Sequence, residues 1–262
     1  MASEETPRLL QKVLDQGGGL PAAPQVLDRF LQLCSDPKAS AGDLAKVLEM
    51  DAGLTSLILR LVNSSFYGLA ATINSVRQAI VILGFHEVKS LALSVPVAGF
   101  YQKNADKPGL SIATLWQHTL EAACLARVLA RSTGLAVPED VFVKTILRNI
   151  GMVAINNVLG EEYMALVRLT GGRKRFPDVE RDEFGFTHAE VGARLAERWR
   201  FPQDLVDFIR DHHTPVRDGE VLVEPGLVYA SRRILQGRSK EQGVEEVLEG
   251  LPPELVEAFG LT

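Results

Sequence analysis

What most constrains this chain is the spacing of its apolar residues. They recur at three and four positions along nearly the whole length, and the period-two alternation of a half-buried strand is scarce. A segment with that period buries one stripe of a helix, so its neighbours must be helices that cover the stripe. With 262 residues and 46% hydrophobic content, the chain has apolar surface enough for one large unit or two modest ones. The expected fold is all-α, in two packed helical bundles.

The polar, turn-rich stretch Asn104–Gly109 is the best internal boundary. It separates a helical subdomain over 20–105 from a second bundle over 110–236, with a helical extension over 237–262. Residues 1–19 form an N-terminal segment ending in Gly17-Gly18-Gly19, read as a flexible joint, before an extended lead-in, Leu20–Pro24. Ser40 with Asp43 and Thr187 with Glu190 have capping-box spacing. Ser75 suits an N-cap and Gly84 a C-terminal cap. A long helix is predicted over 111–131, with Leu115, His118, Ala122, Leu125 and Leu129 on one face, which turns His118 inward. Pro138-Glu139-Asp140 opens a further helix that runs through Ile146–Gly151, ILRNIG. Gly171–Arg175 reads as a mobile basic loop and Val216–Pro225 as a polar one.

The charge balance narrows the function. A net charge of −5 and a pI near 5.6 disfavour a nucleic-acid grip, which usually carries a basic surplus. The helices either side of Leu83-Gly84-Phe85 have a helix-turn-helix look, but the second offers only Lys89 as a cation, so packing is the expected role. No apolar run reaches the roughly 18–20 residues of a membrane span. The N-terminus has acids where a signal peptide is basic, so a cytoplasmic location is expected. Cys34 and Cys124 lie far apart without a CxxC pattern and read as buried reduced thiols.

Four of the five histidines, His118, His188, His212 and His213, fall beyond the Asn104–Gly109 boundary, on three predicted helices. Bundles build metal sites from side chains on facing helices. The ILRNIG run places Arg148 and Asn149 where a metal-binding helix would carry a His-Asp pair.

From about Leu20 to Pro215 the chain resembles the HDOD domain, a non-enzymatic relative of the HD metal-dependent phosphohydrolases. In the first half the likeness rests on LPAAPQVLDRFLQL, LVNSSFYG and INSVRQAIVILGFHEVKSLAL; in the second, on LWQHTLEAACLARVLA, THAEVGARLAERWRFP and IRDHHTP. The resemblance implies that His118 stands at the first metal ligand of the active relatives and Arg148-Asn149 at their His-Asp pair. It places His188 and His212 or His213 at later histidines, and Ser231, in VYASRRIL, at the final Asp. Arg148 cannot ligate a cation and would repel one. Asn149 and Ser231 both lack the carboxylate that offsets metal charge. No catalytic residue, metal or cofactor is therefore expected.

An inward Arg148 is expected to pair with an internal carboxylate, Glu183 or Asp211. The other reading of the same residues is an anion pocket for a phosphate or nucleotide, made by Arg148 with the histidines. The resemblance implies a bacterial signal-transduction module that acts through contact with a signalling protein supplied in trans, alone or as a homodimer, away from membranes. Its contact surface is expected on the N-terminal half or the groove between halves, with Phe66-Tyr67 as candidates. The alternatives are a nucleotide or phosphate sensor without turnover, and a metal-dependent phosphohydrolase with atypical ligands. The last requires Asp182, Glu183 or Asp211 to replace the missing carboxylate.

Overall fold

The structure is a computed structural model; it describes residues 5–19, 26, 29–30, 32–33, 36, 38–63, 69, 71–169 and 175–261. The Leu20–Pro24 lead-in, Cys34, the turn with Phe66 and Tyr67, and residues 171–174 of the basic loop lie outside the described residues. Among the described residues the chain is all-α apart from one small hairpin, and its helices pack around two apolar cores.

The first bundle contains α2 (Ala41–Leu48), α3 (Ala52–Val62), α4 (Val76–Leu83) and the start of α5 (Phe85–Lys103). Short polar side chains begin these helices by satisfying otherwise unpaired N–H groups. Ser40 and Asp43 form the reciprocal capping box on α2, Asp51 accepts from the Leu54 amide at 2.9 Å, and Ser75 accepts from the Gln78 amide at 3.1 Å. Gly84, at φ +89°, ends α4 and opens α5, a backbone conformation that favours glycine. Phe30, Leu48, Ile58, Val62, Val76 and Ala92 are among the buried residues of this core. Lys89 on α5 is spent internally, 3.3 Å from Asp140, in keeping with a packing role.

The second bundle comprises α1 (Glu5–Gln16), α6 (Ile112–Thr133), α7 (Pro138–Leu147), α8 (Ile150–Leu159), α9 (Glu161–Leu169), α10 (Phe176–Phe184), α11 (His188–Arg198), α12 (Gln203–Asp211) and α13 (Val223–Ser239). Two short helices, α14 (Val244–Glu249) and α15 (Pro253–Phe259), follow. Between α12 and α13, β1 (Val216–Arg217) pairs antiparallel with β2 (Glu220–Val221). The expected polar loop is thus a hairpin: Asp218 and Gly219 take positive φ at its turn, as a tight two-residue hairpin requires.

The cores meet within α5. Val88, Leu91, Ala92 and Val95 face the first core, while Leu93, Val97, Phe100 and Tyr101 face the second. Gly17 and Gly18 are not a free joint. A Cβ on Gly17 would overlap the Ala154 carbonyl, and one on Gly18 the Leu195 side chain, so these glycines let the end of α1 lie against α8 and α11. Cys124 is partly buried. Among the described residues, no helix is long and apolar enough to cross a membrane.

Candidate functional site

The ILRNIG run does not lie inside one helix. α7 stops at Leu147 and α8 starts at Ile150, with Arg148 closing one and Asn149, at φ −98° and ψ 9°, opening the other. Two polar residues at a helix junction are thereby turned into the bundle interior. The junction is held from both sides. Asn149 Nδ2 donates to Thr119 Oγ1 on α6 at 3.0 Å. Gly151, the second residue of α8, lies so near the start of α11 that a Cβ would overlap the His188 carbonyl; Gly192 faces it from α11. This close crossing sets His188 beside the Arg148 joint.

His188 lies in the first turn of α11, behind the Thr187–Glu190 capping box. His212 caps the C-terminal end of α12 and His213 follows. The three rings converge, with one nitrogen from each lying within 4.8 Å of the other two, and His188 Nε2 lies 2.9 Å from His213 Nε2. The direction of these bonds can be deduced. Arginine only donates, so Arg232 Nη1, 3.3 Å from His213 Nδ1, makes that nitrogen the acceptor. The His213 proton then sits on Nε2 and is given to His188 Nε2. His188 in turn donates from Nδ1 to Glu180 Oε2 at 2.6 Å. The fully buried Glu180 also accepts from the His188 amide at 3.0 Å and the Tyr163 hydroxyl at 2.5 Å. The result is one polarised chain, Arg232 to His213 to His188 to Glu180.

Beside it is a cavity of about 510 Å³ whose lining includes His118, Glu121, Arg148, Asn149, His188, His213, Arg232 and Arg238. Arg148 is 3% exposed. It spends Nη1 on the Thr145 carbonyl at 2.7 Å, and its Nε has no acceptor. Burial, then the charge of Arg232, presses its pKa down to about 9, which leaves it cationic at neutral pH. Burial also lowers Arg232 from its ordinary value. The buried Tyr101 hydroxyl faces Arg148, but burial raises its pKa well above the ordinary range, so it supplies no anion. Burial and then the neighbouring histidines push His212 and His213 well below the usual imidazole value, with Arg232 adding to the effect on both. Both rings are neutral near pH 7.

Several expectations need correction. His118 does not point inward: its side chain is 69% exposed at the cavity rim, 3.6 Å from Glu121, and Thr119 takes the buried position. Arg148 pairs with neither predicted carboxylate. Asp211 is bound to Arg217 at 2.6 Å, and Asp182 and Glu183 are exposed on α10. Among the described residues no carboxylate pairs with Arg148 or Arg232. Ser231 is fully buried and donates to its own helix, to the Val228 carbonyl at 2.8 Å. Sequence reasoning missed Glu180 and Arg232. The signal for Glu180 was an acid four positions from Phe184 and Phe176, on the face α10 buries; that for Arg232 was its place next to Ser231.

A catalytic metal pair does not fit this donor set. Asn149 gives its amide N–H groups toward Thr119, Ser231 is turned to its own backbone, and a fixed cation sits at position 148. The three imidazoles remain, but His213 carries its proton on the nitrogen that would ligate. Moving that proton to Nδ1 would set a donor against Arg232. The only carboxylate on the network, Glu180, lies behind His188 and does not line the cavity. A divalent cation would therefore meet neutral imidazole and guanidinium charges, and Glu121, beside His118, is the one carboxylate in the cavity lining.

The fold is shared with proteins of known structure. An HDOD domain protein with unknown function from Geobacter sulfurreducens matches 97% of this chain and 89% of its own, at 26% identity and a TM-score of 0.73. A candidate signal transduction protein from Marinobacter aquaeolei VT8 matches at 25% identity and a TM-score of 0.71, over 97% of this chain and 62% of its own. A candidate phosphohydrolase from Shewanella amazonensis SB2B, at 23% identity and a TM-score of 0.73 over 96% of this chain and 88% of its own, shares the fold. The chain spans 40% of the length of the curated relative it matches, an uncharacterized protein of Treponema pallidum (strain Nichols), with 26% identity over 213 residues, 80% of this chain. The pattern of the HDOD domain family itself covers residues 20–215, and the chain belongs to that family.

Proposed function

We propose that the protein is a non-catalytic regulatory module of bacterial signal transduction, acting by contact with a signalling protein. The observation that carries this reading is Arg148. It is a buried guanidinium with which, among the described residues, no carboxylate pairs, and the family resemblance aligns it with a metal-ligating histidine of the active HD relatives. Activation of water by a metal requires a site that attracts the ion, and this one repels it. Contact as the mode of action follows from the family resemblance, and the neighbouring Val81 and Ile82 on α4 are exposed apolar side chains that a partner could cover.

The test is metal content and turnover together. Protein purified without chelator or affinity-tag metal should contain far less than one equivalent of any transition metal by plasma mass spectrometry. It should not hydrolyse phosphodiesters, phosphomonoesters or nucleotides with added Mn²⁺ or Mg²⁺. Near-stoichiometric metal, with hydrolysis abolished by His188→Ala, would overturn the reading.

A further inference from the structure

We propose that the cavity at the α7–α8 junction binds an organic phosphate of nucleotide size directly on arginine, with no metal between them. The argument begins from charge. Three guanidinium groups, Arg148, Arg232 and Arg238, line the cavity against one carboxylate, Glu121, which is already beside His118. Two of the three are not surface charges. Arg148 is buried to 3% exposure with its Nε unpaired, and Arg232 is turned inward to His213. A buried cation without a counter-ion is costly, and proteins rarely retain one that nothing offsets. A second, partly buried cation, Arg232, beside the first makes the cost larger. An anion entering the cavity would lift both penalties at once.

The shape of the donors selects the anion. Arginine presents a planar fork that matches the oxygens of phosphate and carboxylate. Two forks converging on one space suit an oxyanion that carries more than one charge, which a phosphomonoester does near neutral pH. His213 Nε2 and His188 Nε2 are engaged with each other, which leaves the choice of anion to the arginines. The cavity, at about 510 Å³, is of the size that holds a small organic ligand and is too roomy for phosphate alone. Leu115, Met152, Phe176 and Leu235 complete its wall and offer apolar surface to an organic remainder. The exposed Arg238 stands at the mouth.

The site goes beyond the non-catalytic reading and depends on it only in that the ligand is held without being cleaved. The test uses the full chain, stripped of metal with chelator, in buffer free of phosphate and sulfate. Inorganic phosphate and adenosine monophosphate are titrated by calorimetry, with thermal unfolding in parallel. Binding of the nucleoside monophosphate tighter than of phosphate, with each raising the melting temperature, is expected. Arg148→Gln should weaken both by about tenfold to a hundredfold, the loss of one or more hydrogen bonds to a charged group. Arg238→Ala, a change at the exposed mouth that leaves the fold intact, should weaken the nucleotide severalfold and serves as the second reading if Arg148→Gln does not fold. No binding of either probe, binding that both variants leave unchanged, or binding that appears only with added divalent metal would overturn the site. Cleavage of the nucleotide would overturn the non-catalytic reading instead, so the two failures are told apart.

Discussion

The burial of His212 and the partial burial of His213 make stability depend on pH in a definite direction. Both are held neutral, by burial first and then by imidazole and guanidinium neighbours: His188 for both, each other's ring in the case of His213, Arg148 for His212, Arg175 for His213, and Arg232 for both. In the unfolded chain each takes a proton near pH 6.5; in the folded chain only at much lower pH. Between those values the unfolded chain binds more protons, so folding weakens as the pH falls below about 6.5. The slope should approach about 1.4 kcal/mol per pH unit for each histidine. Urea midpoints measured from pH 7.5 to 5 in a phosphate-free buffer check this; a flat profile would mean that the imidazoles are solvated or paired with an acid. His188, His212 and His213, singled out in the sequence, come together in the fold, whereas His118 does not point inward, for a reason visible in α6. After Ile112 its buried stripe is Thr119, Ala122, Ala123, Ala126 and Ala130, small side chains that admit close helices. Its bulkier Leu115 and Trp116 are only partly buried. A reading that weights large apolar residues therefore rotates the face by one position and draws His118 inward. Arg148 was expected to find a carboxylate because buried charges usually do; its isolation is a fact of three-dimensional placement that no spacing records.

Among the elements, the crossing of α8 and α11 fixes the site. Gly151 and Gly192 face each other there, and the close approach sets the His188 carbonyl where a side chain on Gly151 would have to be. Gly151→Ala should therefore part the two helices and cost about 3 kcal/mol, the upper part of the range for overpacking a tight core. It should also move Arg148 away from His213 and Arg232, so any phosphate affinity of the cavity should fall with it. Chemical denaturation of the variant measures the first effect, and an unchanged midpoint would show that the helices already stand apart. Helix starts were legible at this scale, because capping boxes at Ser40 and Thr187 are local chemistry and form as their spacing implies. The stop within ILRNIG was not. Its apolar period continues across the break, and nothing between Leu147 and Ile150 is a glycine or proline to mark it. Gly17 and Gly18 show the converse, glycines that signal flexibility in a sequence and serve close packing in the fold.

For the molecule as a whole, α5 decides whether the two bundles behave as one body. The helix gives Val88, Leu91, Ala92 and Val95 to the first core and Leu93, Val97, Phe100 and Tyr101 to the second, with Pro96 at the changeover. Neither core can lose its share of α5 without loosening the other's wall. Lys89 bound to Asp140 and Ser90 Oγ donating to the Glu139 carbonyl at 3.1 Å tie the same helix to the start of α7. The two cores should consequently unfold together. This can be measured without labels, because Trp116 and Trp199 both pack against the second core, whereas far-ultraviolet circular dichroism reports helices in both bundles. In urea the fluorescence and dichroism curves should coincide, as they do when unfolding is a single cooperative step. A dichroism loss that precedes the tryptophan transition would mean that the first bundle melts alone. The missing hydrogen bond at Pro96 would then be the place where α5 parts, and a partner on the first bundle could act without disturbing the cavity in the second. Coincident curves would mean the opposite: whatever grips the first bundle shares one folding equilibrium with the Arg148 site, and a ligand there would stabilise the surface the partner meets.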